Sequence, residues 1–261
     1  MRQSGKKKRA SEHARKLLKF TGNPQSIDDA IQLLVGEVLQ GISVAPTDLD
    51  ALQERLSIIE CRAEDIPFSG ELRRKGKERA IVYSMHLSRD RRRFTIAHEI
   101  GHAILETAGY PLPHSGTGIE RLCDRFAAEI LMPKSVFLER LGASLTIERL
   151  FNLKRTFQVS LIAIGYRCFD FQRVSAFEVE NDTVAWGVGL VKKGPLHLVE
   201  PGLRLVIDKA EESETGNHEL YFVDQGNTYR GEIEWSRQSL ERTLFILRRC
   251  HDQKLTVTAP H

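Results

Sequence analysis

Residues 90–106 read "DRRRFTIAHEIGHAILE", and the fold turns on what the five residues "HEIGH" within them do. On a helix, positions i and i+4 project from the same side, about 40° apart and one turn along the axis. His98 and His102 stand at that spacing and can each give one nitrogen to a single ion. Glu99 sits about 100° round from His98, where its carboxylate reaches a water on that ion without ligating it. Zinc in such a site lowers the pKa of its water toward roughly 7, and the carboxylate takes the proton as the water attacks. Phe94, Ala97, Ile100, Ile104 and Leu105 surround the motif as they would in a buried helix. Gly101 costs about 1 kcal/mol against alanine in a helix interior, and close approach of another backbone is a reason to carry it. The plainer alternative is two hydrogen-bonded histidines on a half-buried helix.

A catalytic zinc takes three protein ligands and keeps a fourth position open. The helix that starts near Ser88–Asp90 ends in "GYPLPHSGTG" (109–118), whose glycines and prolines make a loop. The next helix covers about 119–131 and stops before Pro133. It offers two glutamates, Glu120 and Glu129, which lie about 180° apart on the helix and cannot both face the metal. Asp124 stands four residues after Glu120, on the same side. There it can accept a hydrogen bond from the second ring nitrogen of a ligand histidine and fix its tautomer. Glu129 has no such companion, so Glu120 is the expected third ligand and Asp124 its supporting group. His114 and Tyr110 stay open, as plain loop residues or as a further ligand or hydrogen-bond donor.

Together, "RRRFTIAHEIGHAIL" (91–105) and "ERLCDRFAAEILMP" (120–133) resemble the ImmA/IrrE family of bacterial metallopeptidases. The resemblance covers roughly residues 30–140, thins toward 170 and stops there. It implies an α+β fold with a gluzincin-like core, a small mixed sheet plus active-site helices. It implies His98, His102 and Glu120 as metal ligands, Glu99 as general base, and Zn2+ as cofactor, with Mn2+ or another divalent metal as the alternative. The implied substrate is a helix-turn-helix transcriptional repressor, whose cleavage derepresses stress-response or mobile-element genes. Asp124 stands where many relatives carry Asn; both accept a hydrogen bond. The competing reading is a regulator that binds DNA or protein without cleaving it, its zinc structural or inactive.

Around this centre, residues 10–20, 26–40, 134–141 and 145–169 pattern as helices. Residues 56–61, 79–84 and a stretch near 70–74 pattern as strands. Strand 79–84, "RAIVYS", is expected to be an edge able to pair with an extended substrate, so that proline at Ile81 or Val82 would impair cleavage. Residues 145–169 resemble the helix-turn-helix-like segment that follows the core in relatives, with "FQVS" (157–160) as the turn, Val159 buried and Ser160 capping. Its second helix is largely apolar and poor in side chains that read base edges, so packing or substrate docking competes with DNA contact. Beyond 172, strands are expected at "VAWGVGLV", "GLRLVID", "ELYFVD" and "GEIEWS", with one helix over about 236–250. The expected organisation is a basic flexible tail (1–20), a zinc metallopeptidase core (21–142), the helix-turn-helix-like segment (143–170) and a strand-rich unit (171–261), sensor-like by analogy with relatives.

Composition bounds the rest. The chain is 41% hydrophobic and 28% charged, ordinary for a globular protein with a buried core. It has no apolar run long enough for a membrane span and no apolar segment after its basic start that would make a secretory signal. Cys61, Cys123, Cys168 and Cys250 lie far apart with no CxxC pair, which suggests neither a disulfide framework nor a thiolate zinc site and fits a reducing cytoplasm. Residues 1–20 hold eight Lys or Arg against Glu12 alone. That tail, with the runs at Arg73–Arg79 and Arg89–Arg93, is either a solvated surface or an electropositive one for nucleic acid.

Overall fold

Polar caps and apolar spacing set the helix starts in the N-terminal half. Helix α1 (Ile27–Leu39) is capped by Ser26, whose hydroxyl accepts the Asp29 N–H at 3.1 Å. Helix α2 (Leu49–Arg55) is capped by Asp48, which accepts from Asp50 and Ala51. Three strands follow: β1 (Ile58–Glu64), β2 (Gly70–Lys75) and β3 (Glu78–Ser84). Helix α3 (Arg89–Thr107) starts on Ser88, which accepts the Arg91 N–H at 3.4 Å, and ends at Gly109, φ +77°. Then come α4 (Thr117–Leu131), α5 (Lys134–Leu141), α6 (Ile147–Phe157) and α7 (Leu161–Gln172). The last stretch holds β4 (Ser175–Glu180), β5 (Thr183–Val188), β6 (Gly194–Pro195), α8 (Pro201–Ala210), β7 (Thr215–Asp224), β8 (Asn227–Arg237) and β9 (Arg242–Arg249).

This computed structural model describes residues 17–250 apart from 20, 23, 77, 111–116, 173, 182, 196–198, 200, 211, 225–226 and 240. The basic tail through Lys16 and the loop residue His114 therefore lie outside the described residues. The chain forms two compact units, one from the residues up to Arg140 with Thr156–Val159, the other from Leu141–Arg155 with the residues from Ser160 on. The architecture is α+β with two sheets, helices first and a strand-rich C-terminal region after them.

In the first unit the sheet runs β1-β3-β2, with β1 parallel and β2 antiparallel to β3. This corrects the expectation that 79–84 is an edge: β3 is the central strand, and β1 and β2 are the edges. Ile81 and Val82, adjacent in sequence and so on opposite faces, are both fully buried. A strand covered on both faces, with partners on both sides, offers no backbone groups to a peptide. Thr47, buried, donates its hydroxyl to the Ile130 carbonyl at 2.7 Å and ties the segment before α2 to α4.

The second unit is a six-stranded antiparallel sheet ordered β6-β5-β4-β9-β8-β7. Two sequence expectations are overturned here. "GLRLVID" lies in helix α8, not a strand, because Leu203, Val206, Ile207 and Ala210 recur at helical spacing and bury together against the sheet. The span near 236–250 holds strand β9, not a helix. Leu244, Phe245, Ile246 and Leu247 are all buried because β9 lies between β4 and β8 and is covered on both faces. Phe245 stacks on Phe177 at 4.9 Å, on the α8 side. On the other face Gly165 of α7 meets Val188, Ala176 and Trp186. The turn between α6 and α7 places Gln158 at φ +52°, buries Val159, and sets the Ser160 hydroxyl 3.2 Å from the Ala163 N–H it accepts.

Candidate metal centre

Helices α3 and α4 cross so closely that a Cβ on Gly101 would stand 2.8 Å from the Phe126 Cβ, and 3.5 Å from the Cys123 Cα and carbonyl oxygen. The glycine expected to mark a close backbone approach does so here. That crossing brings the polar residues of both helices together. His98 and His102, one turn apart on α3, have ring centroids 5.2 Å apart. His98 Nδ1 donates to Asp124 Oδ1 at 2.9 Å. His98 Nε2 lies 3.2 Å from Glu120 Oε2, and His102 Nε2 lies 3.8 Å from Glu120 Oε1. Asp124 and Glu120 are half exposed on one side of α4, while the two imidazoles are mostly buried.

The electrostatics divide the two histidines. Burial works against a charge on His98, but its hydrogen bond to Asp124 and the nearby charges of Glu99, Asp124 and Glu120 outweigh it and raise its pKa. With both ring nitrogens facing carboxylates, only the imidazolium can donate from both. An ion taking its place at Nε2 displaces that proton. His102 is pushed down to about 4 by burial, then by the His98 charge and, in part, by Arg74. It is a neutral imidazole at neutral pH, the form that gives a lone pair to a metal.

Glu99 points elsewhere. It is 7% exposed, and burial pushes its carboxyl up to about 7, against the pull of His98 and of a backbone hydrogen bond from Leu72. The backbone of Leu72 thus lies beside the Glu99 carboxyl. Gly70, at the start of the same strand, leaves room for Thr95, with Glu99 Oε1 3.7 Å from where its Cβ would be. Glu129 sits at the far end of α4, buried, and accepts the Lys134 N–H at 2.9 Å where α5 begins. Tyr110 is buried just beyond the end of α3.

Cys123 is the residue the sequence argument passed over. His98, His102 and Cys123 offer three donor atoms within 4.8 Å of one another, and Cys123 is fully buried. Burial drives its thiol far above the ordinary value. A search for CxxC pairs misses a lone thiol, but its place three residues after Glu120, one helical turn on, was a signal that it shares the site. Two imidazoles and a carboxylate are a donor set that a catalytic zinc takes.

A second contact joins α3 to the small sheet. Glu106, one turn beyond His102 on α3, ion-pairs with Arg74 of β2 and, at 3.2 Å, with Arg79 of β3. Among the described residues no helix is long and apolar enough to cross a membrane.

Comparison with known proteins bears on this half of the chain. No curated protein matches it. One solved structure, a Mycobacterium tuberculosis transcriptional regulator, is 16% identical over 97% of this chain and 98% of its own, with a TM-score of 0.47. The Peptidase_M78 family model, described as the IrrE N-terminal-like domain, matches residues 50–169, which include β1 to β3, α3, α4 and the whole histidine–carboxylate cluster. From β1 through the candidate metal centre to α7, this chain is similar to the IrrE N-terminal-like domain of the Peptidase_M78 family.

Proposed function

We propose that the protein is a zinc-dependent endopeptidase that cleaves a helix-turn-helix repressor and so derepresses the genes it holds. The observation that carries this reading is Glu99, a buried carboxyl at about 7 beside two histidines that converge on a second acid, Glu120. A general base works best when its pKa lies near the working pH. In the proposed site His98, His102 and Glu120 hold Zn2+, with Mn2+ the alternative. Cys123 stays a protonated thiol beneath them, since a ligand sulfur must first lose its proton. When bound, the metal polarises the scissile carbonyl and acidifies a water. Asp124 keeps the proton on His98 Nδ1, which leaves Nε2 free to donate its lone pair. Glu99 accepts a proton at its carboxylate, and the Leu72 N–H fixes its orientation.

The peptide enters as an added strand on the free edge of β2. Residues 21–142 form the catalytic core in this reading, 143–170 a docking segment and 171–261 a sensory unit.

The test is incubation of the zinc-loaded chain with purified repressors encoded beside its gene. Cleavage is expected with wild type, and Glu99→Gln should lose it by orders of magnitude while keeping its zinc. A Glu99→Gln variant that cuts as fast as wild type would refute Glu99 as the base, and one that loses cleavage yet keeps full function in cells would leave a binding regulator with an inactive metal site as the reading.

A further inference from the structure

Charge is uneven along the edge strand that borders the metal centre. Gly70, Leu72 and Arg74 alternate onto the sheet face that packs on α3. Gly70 meets Thr95, and Arg74 pairs with Glu106. Glu106 continues the stripe of His98 and His102 by one more turn. It carries one negative charge but holds two arginines, Arg74 on one carboxylate oxygen and Arg79 on the other. Arg79 is mostly buried, and its Nη1 donates to the Leu56 carbonyl at 2.7 Å. Arg74 is half exposed. One positive charge is thus left over at this end of the cleft, on the arginine that meets solvent.

Among the described residues, the neighbouring charges do not cancel it. Arg73 points to the opposite face, where Glu64 and Glu71 hold it. Lys75 and Glu78 stand opposite each other in the strand register and offset one another. A guanidinium has five N–H donors, and Glu106 cannot occupy them all.

We infer that Arg74 is a specificity residue, recognising an acidic side chain of the peptide on the N-terminal side of the cut. The inference rests on the peptidase reading above. An extended chain on the β2 edge pairs best antiparallel. Its residues opposite Arg74 then precede those opposite Leu72 and Glu99, and cross-strand partners share a face. The acid falls two residues before the one that faces Leu72.

The probe is a mixture of proteome-derived peptides, cut by the zinc-loaded full chain and sequenced at the new ends. A second readout is binding of the metal-free full chain to an array of the same peptides. Wild type is expected to enrich Asp or Glu about three- to tenfold at that position in both, with the preference shrinking at high salt. Arg74→Gln should erase the enrichment and Arg74→Glu reverse it toward Lys and Arg, with helix content and zinc content unchanged. Cleavage without acidic enrichment, or enrichment that survives Arg74→Glu, overturns the role of Arg74 and leaves the peptidase reading intact. An acidic preference on the array with no peptide cut supports the dock and removes the peptidase reading.

Discussion

Replacing Gly101 by alanine sets two effects of similar size against each other. Alanine gains about 1 kcal/mol over glycine inside a helix. Its methyl group, however, would stand 2.8 Å from the Phe126 Cβ, where ordinary contacts begin at 3.4 Å, so α3 and α4 must part by about 0.6 Å. No rotamer relieves this, because the Phe126 Cβ is fixed to its backbone and the ring is fully buried. Overpacking of that kind costs roughly 1–3 kcal/mol, so the metal-free variant should be neutral to about 2 kcal/mol less stable than wild type. The metal gives the sharper readout. His102 adjoins Gly101 on α3, and Glu120 lies one turn before Cys123 on α4, so parting the helices draws the carboxylate from the imidazoles. Ligand distances tolerate only about 0.2 Å, and zinc affinity should fall about tenfold or more. Urea unfolding in chelator measures the first quantity and competitive chelator titration the second. A variant about 1 kcal/mol more stable than wild type, with unchanged zinc affinity, would show that the helices do not meet there as described.

Three more outcomes follow from the same site. The Glu99 carboxyl is raised from 4.5 to about 7, so the folded metal-free protein holds that proton more tightly than the unfolded chain. This group therefore removes stability as pH rises from 4.5 through 7, and Glu99→Gln should be up to about 3 kcal/mol more stable than wild type at pH 8 but equal to it near pH 4.5. Urea midpoints in chelator across that range check this, and parallel curves would refute it. Asp124→Ala should weaken zinc about 10- to 100-fold by calorimetry, with Asp124→Asn largely sparing it. Glu129→Ala should cost about 1–2 kcal/mol of stability, because the Lys134 N–H loses its acceptor, with zinc affinity unchanged; a loss of zinc binding would reinstate Glu129 as a ligand.

How much of this was legible depends on how far apart in the chain the deciding residues lie. Helix α3 announced itself locally, through the Ser88 cap, the apolar spacing from Ala97 to Leu105 and the stop at Gly109. Glu120 and Asp124 sit four residues apart, and that spacing alone puts them on one side of α4, where both reach His98. Short apolar runs carry less. "GLRLVID" satisfies a strand as well as a helix over seven residues, and only burial of Leu203, Val206, Ile207 and Ala210 together decides for α8. The run 244–247 is ambiguous in the same way until β4 and β8 flank it. For "RAIVYS" the hint was present but unread: an edge strand with one solvated face alternates, whereas Ile81 and Val82 are consecutive and both apolar.

The side of the site that faces β2 is the least legible, and for a physical reason. Its contact with Glu99 is a backbone N–H, which every residue but proline carries, so Leu72 leaves no signature of its role. Strand order, which leaves β2 at an edge of the sheet, is set by pairings between segments distant in sequence. One letter does record the approach. A side chain at Gly70 would collide with Thr95, so glycine there is what lets β2 lie close enough to α3 for its edge to reach the Glu99 carboxyl. Replacing it by valine should separate strand from helix and let water reach Glu99; losing the Leu72 N–H works upward on its pKa, but lost burial, the larger effect, lowers it toward that of a solvated acid, while the histidines keep their spacing. A carboxyl titration followed by NMR in the metal-free chain reads that shift directly. If Glu99 kept its value near 7, burial by α3 and α4 alone would account for it, and the edge of β2 would have no part in setting the base.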